Sequence, residues 1–208
     1  MAGVIALGVL VSGSGTNLQA ILDAICERRL DARVAVVVSN VAGAIALERA
    51  RSAGVPDVVV DHKRFADRTA FDAALVERLR EHGVELVVLA GFMRLLTPVL
   101  LDAFPMRIVN VHPALLPAFP GVHGVRQALA YGVRVAGCTV HFVDRGTDTG
   151  PIIAQTAVPV HEGDDETTLA ARILEKEHEL LPRVIQWIAE GRVSVETTPG
   201  ARPRVRIR

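Results

Sequence analysis

Short apolar runs alternate with segments of helical periodicity along the first half of this 208-residue chain, and this alternation restricts the fold more than any other feature. Several runs are rich in valine and apolar at successive positions, which is typical of parallel strands buried on both faces. The sequence therefore predicts an α/β fold, with a mostly parallel open sheet and helices on both faces. The predicted strands are Val4 to Val11, Arg33 to Val38, Val58 to Val60, Leu86 to Ala90 and Ile108 to Val111.

The segments between these strands have the spacing of amphipathic helices. Apolar residues recur at helical spacing after Asn17, and Gly54 is a suitable left-handed stop for the second helix. That second helix is predicted at Ala44 to Ala53, and two more helices of this half are predicted at Asp67 to Glu81 and Pro98 to Phe104.

The second half of the chain has a different pattern. Val135 to Val143 and Ile152 to Val160 are longer runs that alternate more, as antiparallel strands do. Thr167 to Glu190 has a helical pattern, and Pro182 is expected to bend or divide that helix. Antiparallel strands are therefore predicted in the C-terminal half.

No repeat, low-complexity tract or linker interrupts the chain, and 208 residues suit one domain. The tail, Val193 to Arg208, is predicted to form a hairpin around Pro199-Gly200. Cys26 and Cys138 match no metal-ligand pattern. They are expected to be two buried free thiols rather than a disulfide.

The charge balance limits the classes of partner. Lys plus Arg and Asp plus Glu each total 23, so the formal net charge is zero and no overall field attracts nucleic acid or an acidic membrane. The apolar start, Met1 to Val11, has no basic leader and ends at Ser12-Gly13, well short of the roughly 20 residues of a membrane span. We therefore expect a cytoplasmic protein with no nucleic-acid or membrane partner.

A glycine-rich loop, Ser12 to Asn17, joins the first predicted strand to the first predicted helix. Glycines allow a tight turn, and the amides at a helix N-terminus favour an anion. The loop has neither the lysine of a nucleotide-triphosphate loop nor the third glycine of a dinucleotide fingerprint, so a single phosphate is the expected ligand. The alternative is a plain glycine turn with Asn17 as the N-cap of the helix.

Asn110 and His112 stand at the end of the fifth predicted strand, where alternation places them on one face. Ligands of open α/β sheets lie outside the carboxyl ends of the strands. An amide beside an imidazole suits acyl chemistry, because both can donate to a developing oxyanion and the imidazole also handles protons. The alternative is a histidine that only caps the proline-containing loop after it.

A polar loop, Asp144 to Pro151, connects the two long strands of the second half. Its carboxylates could orient an imidazole and stabilise the charged form of the ring. A polar hairpin turn is the alternative, and only proximity to His112 would make this loop functional.

Taken together, these segments resemble the folate-dependent formyltransferases, and within them the enzymes that formylate glycinamide ribonucleotide. A GFMR segment, an N-x-HP-x-LLP segment and a later D-x-GP loop occur together, and this combination is specific for the formyltransferase fold. The matching stretches extend over nearly all of the chain: Ser12 to Ala20, Ser39-Asn40, Leu47 to Arg51, Val87 to Leu96 (VVLAGFMRLL), Asn110 to Gly121 (NVHPALLPAFPG), His141 to Val143, Asp148 to Pro151 and Glu177-His178.

The resemblance implies a role for each matched residue. Glu177 corresponds to the acid that contacts the glycinamide substrate. The catalytic trio corresponds to Asn110, His112 and Asp148. The cradle for the ribonucleotide phosphate corresponds to Gly15, Thr16 and Asn17. The implied folate site consists of Arg68, Met93, Arg94, Leu95, Leu96, Asp144, Arg145, Gly146 and Thr147.

The activity implied by the resemblance is transfer of the formyl group of 10-formyltetrahydrofolate, a co-substrate, to the amine of glycinamide ribonucleotide in de novo purine biosynthesis. The amide and the protonated imidazole would hold the oxyanion of the tetrahedral intermediate, so no metal is expected. Residues 1–105 would form a Rossmann-like phosphate-binding half, residues 106–192 a folate and catalytic half, and residues 193–208 a tail. Small-molecule substrates are the expected partners, and a homodimer is considered as well.

Other functions stay open at this point. A formyltetrahydrofolate hydrolase-like enzyme is the nearest alternative, although its N-terminal regulatory domain is not expected because the first strand begins at Val4. A methionyl-tRNA formyltransferase would need a C-terminal domain, for which the residues after Glu190 leave no room. A non-catalytic nucleotide-binding module explains the glycine loop but leaves Asn110, His112 and Asp148 without a role.

Overall fold

Parallel strands with helices between them form the N-terminal part of the protein. The computed structural model describes residues 3–198 and 200–208, which separate into two compact units, 1–110 and 111–208. The strands of the first unit are β1 (Ile5–Val11), β2 (Ala32–Ser39), β3 (Asp57–Val59), β4 (Leu86–Leu89) and β5 (Ile108–His112), which ends in the second unit. The helices of the first unit are α1 (Thr16–Cys26), α2 (Ile45–Ser52), α3 (Arg68–Glu81) and α4 (Pro98–Ala103), with a 3₁₀ turn at His62–Arg64.

The strands of this unit are hydrogen-bonded in the order β3-β2-β1-β4-β5, and every pair is parallel. All positions of β1 are buried, as expected of a strand with a neighbour on each side and helices around the sheet. The predicted α/β fold with a mostly parallel sheet is confirmed. Because parallel strands share a direction, the loops after β1, β2 and β4 begin at one edge of the sheet.

The second unit has antiparallel strands, as predicted. Its elements are α5 (Gly124–Tyr131), β6 (Val135–Phe142), β7 (Ile152–Pro159), α6 (Glu166–Ala189), β8 (Val193–Glu196) and β9 (Arg204–Ile207). β6 pairs with β7, and β8 pairs with β9 in the predicted C-terminal hairpin. Pro199, named for the turn of that hairpin, lies outside the described residues. Burial alternates along β7 but not along β6, where only the first residue is exposed.

The structure decides one local prediction in this unit and adds one helix. Pro182 does not divide the long helix, because α6 runs through it as one helix of 24 residues. Its apolar face is buried, and this packing offsets the backbone hydrogen bond that proline cannot donate. Helix α5 was not predicted, since it follows a stretch rich in proline and glycine. No helix in residues 3–198 and 200–208 is both long and apolar enough to cross a membrane.

The two cysteines are free, but only one of them is buried. Cys138 lies within β6, where burial, together with the charge of Glu177, raises the pKa of its thiol to about 12. Cys26 is exposed at the last position of α1, so the prediction of two buried thiols was wrong for this residue. The error arose because an apolar residue at a helix end need not lie on the buried face.

Candidate active site

The glycine-rich loop between β1 and α1 borders a cavity within the first unit. The cavity has a volume of about 280 Å³. Its lining consists of Ser12, Gly13, Ser14, Gly15, Thr16, Asn17, Ala90, Gly91 and Met93. All three predicted phosphate-binding residues are in this set, beside the N-terminus of α1, where backbone amides point at an anion. Asn17 is not the N-cap of α1, because the helix begins at Thr16 with Gly15 as its cap.

Ser12 connects this loop to two other loops at the same sheet edge. Its hydroxyl donates to Asn40 Oδ1 at 2.6 Å and accepts from the backbone N–H of Met93 at 2.8 Å. Asn40 in turn contacts His62, with its Nδ2 3.2 Å from the ring Nδ1. The sequence analysis placed Ser12 in the predicted phosphate loop but gave Asn40 no individual role, although each follows directly on a buried strand, a position that indicates the site edge.

Gly15 is required by both its backbone conformation and its surroundings. Its φ of 71° lies in the left-handed region, and an added Cβ would lie 2.5 Å from Ala46 Cβ and 2.7 Å from Ala46 Cα. We expect Gly15→Ala to lower the free energy of unfolding by about 1–3 kcal/mol, because the backbone is strained and the loop must move away from α2. Urea unfolding measures this change.

Gly43→Ala is the matched control, since Gly43 has no positive φ and no atom within 4 Å of its added Cβ. An equal loss of stability in the two variants would show that the close approach of Gly15 to Ala46 does not constrain the loop.

His112 and Asp148 lie side by side in the second unit. His112 is the last residue of β5 and is 4% exposed. Its Nδ1 is 3.4 Å from Asp148 Oδ2, and its Nε2 is 2.9 Å from the carbonyl oxygen of Phe119. Both ring nitrogens therefore face acceptors, an arrangement that suits an imidazolium, in which both nitrogens are donors.

Asp148 is held as an anion by several donors. Its Oδ2 accepts from the backbone N–H of Gly121 at 2.8 Å, and its Oδ1 lies 3.6 Å from Nε2 of His141. Burial alone would raise the pKa of Asp148, but the hydrogen bonds from His141 and Gly121 and the charge of His112 outweigh it and lower the pKa. The carboxylate is thus available as a counter-charge for His112 at neutral pH.

Hydrogen bonds between its own residues stabilise the loop that carries Asp148. Asp144 Oδ1 accepts from the backbone N–H of Gly146 at 3.0 Å and from the hydroxyl of Thr149 at 2.7 Å. A Cβ on Gly150 would lie 1.8 Å from the carbonyl oxygen of Phe142, so only glycine fits there. Asp148 itself has a φ of 54°, in the left-handed region that residues other than glycine adopt infrequently. Residues 144–147, predicted to contact folate, are exposed.

The chain after His112 is fixed by two polar residues that sequence reasoning missed. Thr139 on β6 donates to the carbonyl of Ala114 at 2.7 Å and accepts from the N–H of Leu116 at 3.0 Å. Gln155 on β7 donates both to Thr139 Oγ1 at 2.9 Å and to the carbonyl of Leu116 at 2.8 Å. These contacts hold the LLP stretch to the strands that precede and follow the Asp148 loop. His141, in the matched stretch His141 to Val143, was not predicted as a partner of Asp148.

The remaining predicted site residues have varied environments. Asn110 is half-buried on β5, two residues before His112 and on the same face of the strand. Glu177 lies on the buried face of α6 among leucine and isoleucine, where it is 6% exposed.

The predicted folate residues of the first unit differ in their exposure. Met93 and Leu95 are 68% and 57% exposed. Leu96 and Arg94 are half-buried, and Arg68 is exposed at the first position of α3. Neighbouring large apolar side chains in contact with solvent are typical of a ligand-binding segment. In residues 3–198 and 200–208, no three His, Cys, Asp or Glu side chains are grouped so as to hold a metal ion.

Comparison with known proteins identifies the class of protein that has this fold and site. The formyl transferase family model matches residues 6–185. The chain therefore belongs to the formyl transferase family.

Two proteins that are named for one reaction of this family are similar to the chain over most of their length. The chain is 44% identical over 187 residues to phosphoribosylglycinamide formyltransferase of Escherichia coli (strain K12), covering 90% of this chain and 88% of that protein. The crystal structure of glycinamide ribonucleotide transformylase 1 from Symbiobacterium toebii has a TM-score of 0.94 and 58% identity, covering 98% of this chain and 94% of that one.

The similarity extends to one part of larger proteins. The chain is 47% identical over 187 residues to the trifunctional purine biosynthetic protein adenosine-3 of Drosophila pseudoobscura pseudoobscura, covering 89% of this chain. It spans only 14% of the length of that protein.

Proposed function

We propose that this chain transfers the formyl group of 10-formyltetrahydrofolate to the amine of glycinamide ribonucleotide, a step of purine biosynthesis. The observation that carries the proposal is the approach of the half-buried Asp148 to the buried His112 at the carboxyl end of β5, 3.4 Å apart. Similarity to phosphoribosylglycinamide formyltransferase over 90% of the chain supports the same reaction. Cytoplasmic location, a single-domain organisation and a homodimer stay predictions.

The chemistry follows from the groups at the end of β5. The substrate amine attacks the formyl carbon, which becomes tetrahedral and carries an oxyanion. The imidazolium of His112 and the amide of Asn110 donate to that oxyanion, and Asp148 keeps the ring charged and oriented. Nδ1 of His112 faces Asp148, so Nε2 is the donor, and the oxyanion replaces the carbonyl of Phe119 there. The attacking nitrogen then loses a proton, the folate nitrogen gains one, and the C–N bond to the folate nitrogen breaks.

The other predicted residues bind the two substrates. Gly15, Thr16 and Asn17 bind the phosphate of the ribonucleotide with the backbone amides at the start of α1. The carboxylate of Glu177 binds the amine end of glycinamide. The folate contacts come from Arg68 and Met93 to Leu96 in the first unit and from Asp144 to Thr147 in the second.

The function is tested by mixing the protein with 10-formyltetrahydrofolate, with and without glycinamide ribonucleotide. Folate absorbance follows deformylation, and mass spectrometry detects the formylated product. We expect deformylation only when the ribonucleotide is present, with one formyl group gained per folate consumed. Formate release that is independent of the ribonucleotide would identify a hydrolase. Binding of the ribonucleotide without any turnover would identify a non-catalytic module.

A further inference from the structure

Helix α2 packs against the glycine-rich loop and contacts three successive residues of it. The backbone N–H of Ala46 donates to the carbonyl of Gly13 at 3.1 Å. Gly15 lies so close to Ala46 that an added Cβ would be 2.5 Å from Ala46 Cβ. Between these two contacts, Nε of Arg49 donates to the carbonyl of Ser14 at 2.9 Å. Arg49 follows Ala46 by three residues, so a single turn of α2 supports this part of the loop.

Arg49 also reaches the first turn of helix α1. Its Nη1 donates to Oε1 of Gln19 at 3.1 Å, and Nε2 of Gln19 donates to Asp23 at 2.9 Å. The half-buried guanidinium is therefore held between the loop and α1 by two of its own N–H groups. Within residues 3–198 and 200–208 it forms no ion pair with a carboxylate, so its charge is not neutralised by one.

The contact of Arg49 with Ser14 sets the direction of a backbone amide in the loop. The peptide bond between Ser14 and Gly15 is trans, so the N–H of Gly15 points opposite to the Ser14 carbonyl and away from Arg49. Both loop residues line the cavity, whereas α2 contributes no residue to the lining in the described part of the chain. The Gly15 N–H therefore points towards the cavity. A charged donor on the carbonyl also polarises the peptide and strengthens its N–H as a donor.

A phosphate in this cavity needs more positive charge than the lining supplies. Among the residues that the structure describes, the lining contains no lysine, arginine or histidine. A phosphate monoester carries a charge of about −1.5 to −2 at pH 7, whereas a helix N-terminus offers only about half an elementary charge. The guanidinium of Arg49 is a full positive charge in direct contact with the back of the loop. It can offset the charge that the amides leave uncompensated.

We propose that Arg49 is a positioning residue for the phosphate of the ribonucleotide, which directs the Gly15 N–H into the cavity and adds a positive charge behind the loop. The inference rests on the proposed function for the identity of the ligand, since these contacts suit any phosphate monoester. It gives a role to a residue of α2 that acts through Ser14. The role concerns phosphate affinity and not the chemical step.

Two substitutions separate the charge of Arg49 from its hydrogen bonds. Arg49→Met removes both and keeps an unbranched side chain, whereas Arg49→Lys keeps the charge. We expect Arg49→Met to raise the KM for glycinamide ribonucleotide by about 10-fold, with kcat and the KM for 10-formyltetrahydrofolate changed by less than about 2-fold. Arg49→Lys should raise the same KM by only about 3-fold. Arg51→Met removes an exposed, ion-paired charge from the same helix and is the matched control, with kinetics close to those of the wild type.

A substrate without the phosphate separates this role from a general effect on structure. The KM for glycinamide riboside should be the same for Arg49→Met and the wild type, because no phosphate is present to be bound. An equal rise in KM for the riboside and the ribonucleotide would contradict the proposal. An unchanged KM for the ribonucleotide would contradict it as well, and so would equal losses in Arg49→Lys and Arg49→Met. Thermal melting verifies that the variants are folded.

Inorganic phosphate distinguishes failure of this inference from failure of the proposed function. Calorimetry with phosphate requires no turnover, and we expect Arg49→Met to bind phosphate about 10-fold more weakly than the wild type. If this difference is found but the wild type transfers no formyl group, the proposed function is wrong and the role of Arg49 stands. If the wild type transfers formyl groups but binds phosphate no better than Arg49→Met, the role of Arg49 is wrong and the proposed function stands. If neither transfer nor phosphate binding is found, both proposals fail.

Discussion

Replacement of His112 by Ala is expected to lower kcat by about two to three orders of magnitude, the usual loss when an oxyanion donor is removed. The KM of either substrate should change little, because the imidazolium is proposed to act on charge that develops only in the transition state. Steady-state kinetics with 10-formyltetrahydrofolate and glycinamide ribonucleotide measure the effect, and circular dichroism verifies the fold.

A second substitution separates the charge of His112 from its packing. The ring is buried, so Ala leaves a cavity, whereas His112→Asn keeps a polar side chain that can still donate to a carbonyl. We expect both variants to be strongly impaired, because neither carries a positive charge. His161→Ala, at an exposed position of the second unit, is the control and should retain full activity. Activity of His112→Asn close to that of the wild type would remove the imidazolium from the mechanism.

Asp148→Asn is expected to lower kcat by about 100-fold or more, since removing the carboxylate that orients a catalytic imidazole has effects of this order. Asp148 supplies two acceptor oxygens, one towards Gly121 and His112 and the other towards His141. An asparagine has only one acceptor oxygen, so its NH₂ group must face a donor on one side. Single-turnover kinetics at saturating substrates measure the chemical step, and Asp23→Asn, at an exposed position of α1, is the matched control. An unchanged rate would show that Asp148 is only structural.

The same substitution makes a prediction about stability and pH. The pKa of Asp148 in the folded protein is below its ordinary value of 3.8, so the ionised carboxylate stabilises the fold. This contribution is fully present above the unfolded pKa and is lost as the pH falls through the lowered folded pKa. The difference in unfolding free energy between wild type and Asp148→Asn should therefore become smaller as the pH falls below about 4. A difference that grows as the pH falls below about 4 would contradict the ionised assignment.

The strands and helices of the first unit could be predicted from local patterns of apolar residues. The burial of strands such as β1 on both faces produces a run of apolar residues, and the switch to helical spacing marks each crossover helix. The glycine loop was also visible, because Gly15 stands where a strand ends and a helix begins. Predictions failed where a local signal competed with packing. Pro182 signals a break in α6, but the buried face of that helix outweighs it.

The candidate site could be predicted only in part. Asn110 and His112 are two residues apart on one strand, so alternation alone places them on one face. Asp148 is remote in sequence, and its place beside His112 was implied by the resemblance alone. The residues that hold the site in place were even harder to predict from the sequence. In the sequence, Thr139 and Gln155 are ordinary polar residues of two predicted strands. Their contacts with the loop after His112 depend on the turn that brings β6 against β7.

By itself, the sequence determined the α/β class, the order of strands and helices along the first unit, and the glycine loop at a helix start. These follow from the chemistry of neighbouring residues, since periodicity and glycine conformation act over a few positions. Only the tertiary structure decided the 3.4 Å approach of His112 to Asp148 and the contacts of Thr139 and Gln155 with the loop after His112. Such contacts depend on turn geometry and packing between segments that are distant in sequence, and no local pattern encodes these.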